Sequence, residues 1–165
     1  MFRFLFAAFV VAAAATPAAA QSAPTADQTR TLNLSAYAEL LRGDIRVQKV
    51  AIIAQVMEFT EAESNTFWPV YREYDAEMSK LGDERLELIT EYAKNYEQLT
   101  DDVADRLAKK ALDLESRRQA VKAKYYDRIK DALKPKAALR FLQVEHQLLM
   151  LIDLQISAAL PVAGK

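Results

Sequence analysis

The single histidine of this 165-residue chain, His146, is the first side chain to consider for acid–base chemistry. Imidazole titrates near neutral pH and can act as a general base, and the adjacent Glu145 could orient it. No nucleophile or second base lies near it in the sequence, so a histidine on a helix surface or partly inside a core is the better interpretation. We therefore predict no catalytic residue and no enzymatic activity.

Carboxylates at helical spacing are the next candidates, because several of them on one helix face can bind a metal ion. Two runs have this spacing: Glu84, Glu87 and Glu91, and Asp101, Asp102 and Asp105. The sequence has no cysteine and no Glu-x-x-His pair of the kind that di-iron bundles use. A haem held by one methionine and the histidine has no distinguishing spacing to support it. We predict no metal site and no cofactor, and interpret the acidic runs as solvated faces and helix caps.

Residues 1–20 have the three parts of a secretory signal. Arg3 supplies the positive charge, and residues 4–15 form an uncharged apolar run that is too short to cross a bilayer comfortably. Small residues end at Ala20, where a signal peptidase could cut. We predict cleavage there, export, and no stable membrane insertion of the mature chain. An uncleaved N-terminal anchor is the alternative.

Composition limits the class of protein that follows the signal. The chain carries 22 Lys and Arg against 23 Asp and Glu, so no overall positive charge favours nucleic acid. With 3 glycines and 5 prolines, long helices are favoured over a turn-rich β fold. Residues 21–30 are small and polar without apolar periodicity, and residues 21–34 are predicted to form a disordered lead-in. Residues 35–160 predict a single helical domain.

Short polar residues mark the first helix starts. Ser35 is predicted to cap a brief helical segment over residues 36–41, and Asp44 to cap the next helix. The spacing of apolar residues in that helix predicts an inward face of Val47, Val50, Ala54 and Met57.

A capping box predicts the start of the second helix, because Thr60 and Glu63 can bond each other's backbone N–H groups. Its predicted inward positions are Phe67, Tyr71, Tyr74, Met78, Leu81, Leu88, Tyr92 and Leu99. Pro69 is expected to kink this helix without ending it, since the apolar spacing continues beyond it.

Thr100 is predicted to cap a third helix that stops before Pro135, and Pro135 suits the first turn of a last helix. The predicted inward positions of the third helix are Val103, Leu107, Ala111, Leu114, Val121, Tyr125, Ile129 and Ala132. The last helix is apolar on every side around residues 148–152, so we expect it to be covered all round, by the domain or by a second copy.

The predicted fold is all-α. The second and third helices form a long antiparallel hairpin joined near residue 100, flanked by a shorter N-terminal helix and an apolar C-terminal helix. The second helix is rich in Glu and the third in Lys and Arg, so antiparallel packing would place opposite charges side by side. Both apolar stripes are narrow, so the hairpin should depend for its stability on the first and last helices or on dimerisation, and we expect a homodimer.

Two short segments carry a resemblance to a known family. Residues 59–63 (Phe-Thr-Glu-Ala-Glu) and 133–137 (Leu-Lys-Pro-Lys-Ala) stand where a repeated Leu-Thr-x-x-Gln motif would open two helices. The first copy keeps only the Thr, and the second keeps only the Leu. With the export signal and the hairpin between them, the chain resembles the Spy/CpxP family of periplasmic proteins over residues 44–157. The family's metal-responsive branch is rich in His, so zinc binding is not carried over.

The resemblance implies a periplasmic, ATP-independent chaperone or envelope-stress protein that binds unfolded or partner proteins. The client surface would lie on the hairpin and the end of its cradle. Its expected residues are Phe67, Tyr71, Lys109, Arg117, Arg118 and Lys122. The alternative is a structural or adaptor protein that docks one specific envelope partner through its last helix. A nucleic-acid surface over residues 109–130 is disfavoured, because acidic residues interrupt the basic run and export removes such partners.

Overall fold

The computed structural model describes residues 44–163, which form four α-helices and no strand. The helices are α1 (Asp44–Met57), α2 (Glu61–Asn95), α3 (Asp101–Leu133) and α4 (Pro135–Ala159). A 3₁₀ turn, Tyr96–Gln98, joins α2 to α3. The predicted all-α class is confirmed for this part of the chain. The predicted signal, the lead-in and the helical segment after Ser35 lie outside the described residues.

Local hydrogen bonds set the start of α2 as the sequence predicts. The side-chain oxygen of Thr60 accepts from the backbone N–H of Glu63 at 3.3 Å, and the Glu63 carboxylate accepts from the Thr60 N–H at 2.9 Å. These bonds satisfy two backbone donors that the helix itself leaves unpaired. The Thr60 N–H and then the Thr60 hydroxyl, which both donate to the Glu63 carboxylate, hold the pKa of that carboxyl below its usual value. The predicted capping box is confirmed.

The other predicted boundaries are also found. Thr100 accepts from the backbone N–H of Val103 at 3.4 Å and caps α3, and Pro135 begins α4. Pro69 lies inside α2, which continues past it. Lys134, between α3 and α4, has a φ of 106°, a conformation that L side chains adopt at a cost. The chain therefore changes direction between α3 and α4 at Lys134. Because Pro135 follows immediately and disfavours the α-helical conformation at Lys134, this residue takes up the turn.

Aromatic rings form the main core where all four helices meet. Phe141 of α4 lies 5.4 Å from Phe67 and 5.5 Å from Tyr74, measured between ring centroids, and Tyr74 lies 5.4 Å from Tyr125 of α3. The buried members of this cluster are Ile53, Met57, Phe67, Tyr71, Tyr74, Tyr125, Ile129, Leu133, Ala138, Phe141 and Val144. A smaller cluster around Ile89 and Ile156 joins α2 to the end of α4.

Two predicted inward faces are wrong in part. In α1, Val50 and Ala54 are exposed, while Lys49 and Ile53 are buried with Met57. The cause is that α1 carries apolar residues on all sides, so their spacing does not define one face. At the end of α3, Ala132 is exposed and its neighbour Leu133 is buried. A 3.6-residue helix drifts against a 3.5-residue repeat, and the inward face moves by one position over such a length.

The capping box gives a direct test of what begins α2. We expect Thr60→Ala to lower the free energy of unfolding by about 1 kcal/mol, because it leaves a backbone donor of the first turn unpaired. The matched control is Thr66→Ala. The Thr66 hydroxyl donates to the Ala62 carbonyl within the same helix. Removing this hydroxyl does not affect the hydrogen bonds that cap α2. Urea unfolding of both variants measures the difference, and equal destabilisation would contradict the role of Thr60.

Candidate binding surfaces

A row of ion pairs joins α2 to α3. It consists of Glu73 with Arg128, Glu77 with Lys124, Glu84 with Arg117, and Glu91 with Lys110. Going from Glu73 to Glu91 along α2, the partner moves back along α3 from Arg128 to Lys110 by the same number of residues. The two helices therefore run antiparallel. The Glu73 and Glu77 pairs have N–O distances of 2.6 and 2.7 Å. Acidic and basic groups thus neutralise each other along this face.

Hydrogen bonds from these cations hold the pKa values of all four glutamates below their usual value, and Tyr125 contributes a second bond at Glu77. Each pair is open to water, so each adds little stability by itself. Their common effect is to fix the register of α2 on α3.

The predicted client contacts divide into surface and interior residues. Lys109 is 73% exposed and pairs with Asp105 within α3. Arg117 is 43% exposed and binds both Glu84 and Asp113. These two cations lie on the surface, as a client contact requires.

Arg118 and Lys122 lie deeper. Arg118 is buried, and its guanidinium donates to Glu115 at 2.7 Å and to Asp153 of α4 at 3.3 Å. Lys122 is half-buried, and burial followed by the nearby Arg118 charge lowers the pKa of its ammonium. Asp153 also binds Arg85 of α2, so one carboxylate ties three helices together. Arg118 is therefore a bridge between helices in this conformation.

Phe67 and Tyr71 lie inside the core, with exposed fractions of 0% and 3%. Their rings stack at 5.7 Å, and Phe67 also meets Phe141. A client could contact these rings only if α4 or α1 moved away.

The structure places an unforeseen polar cluster in the core. Glu145 of α4 is fully buried, and its Oε1 accepts from the Lys49 ammonium at 2.6 Å and from the Tyr74 hydroxyl at 2.6 Å. The Lys49 ammonium lies 5.4 Å from the Tyr74 ring centroid. The other carboxylate oxygen, Oε2, is buried and has no hydrogen-bond partner among residues 44–163. Burial first, and then the Glu145 charge, raise the pKa of the Tyr74 phenol, so that it remains a neutral donor.

Sequence reasoning considered Glu145 only as the neighbour of His146, and His146 is exposed. The missed signal is its position, four residues after Phe141 and three before Leu148, within the inward face of α4. A solvent-excluded carboxylate with these partners cannot reach a substrate. The cluster is therefore a structural link between α1, α2 and α4.

Several large apolar side chains of α1 and α4 are exposed, and we call this set the apolar face. It comprises Val50, Ile52 and Val56 of α1 and Leu139, Met150, Leu151 and Leu154 of α4, with exposed fractions from 38% to 65%. The rest of the described chain covers α4 only on the opposite side, where Phe141, Val144 and Ile156 are buried. By helical spacing, the four exposed residues of α4 share one side of that helix. Exposed apolar patches mark interaction sites in soluble proteins.

A metal centre and a membrane span each require particular features of the described residues. Among residues 44–163, no group of three or more His, Asp or Glu side chains comes together in a way that could hold an ion. None of the described helices combines the length and the apolar character that crossing a bilayer requires.

Comparisons with protein-family models, with curated proteins and with solved structures give no match for this chain. The expected resemblance to the Spy/CpxP proteins therefore rests on the sequence alone: the export signal, the segments at residues 59–63 and 133–137, and the predicted hairpin between them.

The buried pair predicts an asymmetric response to substitution. Lys49→Met should lower the free energy of unfolding by about 3–5 kcal/mol, because it leaves the Glu145 charge buried and unpaired. The double variant Lys49→Met/Glu145→Gln should recover much of that loss, since the amide is uncharged and its oxygen still accepts from Tyr74. The matched control is Lys124→Met at an exposed pair, which should cost less than about 1 kcal/mol. A double variant as unstable as the single one would contradict this account.

The α2–α3 ion pairs predict acid sensitivity. A carboxyl whose pKa is lower in the folded than in the unfolded state stabilises the fold above its unfolded pKa, and this contribution is lost as the pH falls through the folded value. The urea midpoint should therefore change little between pH 6 and about 5, and should decline as the pH falls below about 4.3, the pKa of an unperturbed glutamate. Glu84→Gln/Glu91→Gln should flatten that decline. Glu87→Gln is the control, because Glu87 forms no ion pair within the described residues, and it should leave the profile unchanged.

Proposed function

We propose that the protein is an ATP-independent, chaperone-like protein of the periplasm that binds unfolded or partner proteins and works as a homodimer. The observation that carries the proposal is the apolar face. Side chains such as Met150 and Leu154 are more than half exposed on a helix that would normally be covered. Unfolded proteins present apolar segments of the same kind, so burying both surfaces together would favour binding without nucleotide hydrolysis.

The charged face on α2 and α3 supports reversible binding. Its glutamates already pair with lysines and arginines, so a client would meet a surface of mixed sign with little net attraction. Lys109, at 73% exposure, is the most accessible of the expected cation contacts. Contacts of this type are weak singly and allow release. We propose that the long α2–α3 hairpin supplies them beside the apolar face.

Two further observations favour the Spy/CpxP resemblance. The two segments that stand in place of the repeated motif both open a helix, at Glu61 and at Pro135. Between them, α2 and α3 run antiparallel and joined by paired charges. Export would place these helices in a compartment without ATP, where a holding role needs no energy source.

The apolar face predicts how substitutions affect aggregation suppression. The mature protein should suppress the thermal aggregation of several unrelated proteins at near-equal molar ratio without ATP, as measured by light scattering. Leu151→Ser/Leu154→Ser should lose most of this activity. The matched control is Leu112→Ser, which removes a leucine that is 71% exposed on α3 and should leave suppression unchanged. Equal loss in both variants, or no suppression by the unmodified protein, would refute the proposal.

The homodimer is checked on the same samples by sedimentation. A protein that stays monomeric at high micromolar concentration would contradict that part of the proposal.

The second candidate is an adaptor that docks one folded envelope partner through α4, and exposure of Leu151 at 59% favours it equally. An adaptor would fail the aggregation assay and yet retain one partner in a pull-down from envelope extract. A chaperone would do the reverse, because its clients share only an unfolded state.

A further inference from the structure

An apolar cavity of about 380 Å³ lies near the turn between α2 and α3, at the opposite end of these helices from the aromatic core. Leu88 and Ile89 of α2, Leu107 of α3, and Ile156 and Leu160 at the end of α4 supply its aliphatic wall. It is partly enclosed and partly open to solvent. Its volume falls within the range of about 300–1,000 Å³ that small-molecule sites occupy.

Small side chains on α3 create this space. Ala104, Ala108 and Ala111 follow each other at steps of four and three residues, so all three face the cavity on one side of the helix. Leu107 lies among them and is buried. A larger side chain at one of these alanines would occupy the cavity.

The residues after α4 form one wall, and two tyrosines hold them there. The Tyr92 hydroxyl donates to the Pro161 carbonyl at 2.7 Å, and the Tyr96 hydroxyl donates to the Val162 carbonyl at 3.2 Å. Arg85, the charged residue that lines the cavity, is bound to Asp153. The Tyr92 hydroxyl and the Arg85 guanidinium therefore already have partners, and the Ser157 hydroxyl is the other polar side-chain group that lines the cavity.

We propose that this cavity binds the linear alkyl chain of a small amphiphile, with the head group at the open side. A buried peptide segment would need hydrogen bonds for its own backbone, and the aliphatic wall offers few. An alkyl chain needs none and gains from burial alone. From residue 104 to 111 the helix rises by about 10 Å, which accommodates a chain of about eight carbons with bonds of about 1.5 Å.

The site is separate from the apolar face and does not depend on the proposed chaperone role. None of the side chains that define that face lines the cavity. Loss of alkyl binding and loss of aggregation suppression should therefore occur in different variants.

Calorimetric titration of the mature protein with decanoate, below its micelle concentration, tests the proposal. We expect saturable binding at one site per chain. Ala104→Leu/Ala111→Leu fills the cavity and should weaken binding at least tenfold. The matched control is Ala120→Leu, which adds the same side chain at an exposed position of the same helix and should not change the affinity. Circular dichroism verifies that both variants are folded.

A second measurement needs no variant. Methyl resonances of Leu107, Ala108 and Ile156 in the unmodified protein should shift on adding decanoate, while those of Leu139 and Leu151 should not. The absence of saturable binding, unchanged affinity in the filled variant, or shifts confined to the apolar face would overturn the proposal. So would displacement of decanoate by an extended leucine-containing peptide that shifts the same cavity methyl groups, because the occupant would then be a protein segment.

Discussion

The carboxylate of Glu145 is buried at the centre of the bundle, and a charge in that position must be neutralised where it lies. Lys49 and Tyr74 do so from two other helices, at 2.6 Å each. Because a solvent-excluded charge without a partner is strongly destabilising, α1 can dock only where its lysine reaches α4. This requirement gives α1 a defined position that its evenly distributed apolar residues do not provide.

A second carboxylate has the same role further along α4. Asp153 binds Arg85 of α2 and Arg118 of α3, so α4 lies against both long helices at two charged points. The aromatic rings of Phe67, Tyr74 and Phe141 fill the space between those helices and α4. Apolar packing supplies most of the driving force, and the buried charges select one arrangement of the helices.

These contacts also explain which surfaces remain for function. The glutamates of α2 and the cations of α3 satisfy one another, so that face is close to neutral. The inward residues of α1 and α4 are used by the core, which leaves their outer apolar side chains exposed. At the far end, alanines on α3 leave a cavity that the side chains of residues 44–163 do not fill. The same packing of the four helices thus leaves two apolar sites, an exposed one on α1 and α4 and a partly enclosed one beside α3.

Arg118 shows where sequence reasoning stops short. It stands four residues after Leu114 and seven before Tyr125, on the inward face by spacing, yet its charge suggested a surface contact. The spacing was the better guide, since Asp153 and Glu115 compensate the burial. The same reasoning applies to Phe67 and Tyr71, whose spacing predicted a core and whose proposed client role required a surface.

The sequence by itself determined the all-α class, the capping box at Thr60, the cap at Thr100 and the start of α4 at Pro135. All of these depend on bonds and sterics within about four residues, which a linear pattern contains. The tertiary structure alone decided the partner of Glu145, the burial of Arg118, the inward face of α1 and the cavity beside α3. Lys49 and Glu145 are separated by 96 residues, and no local pattern specifies which distant charge will arrive to pair with a buried one.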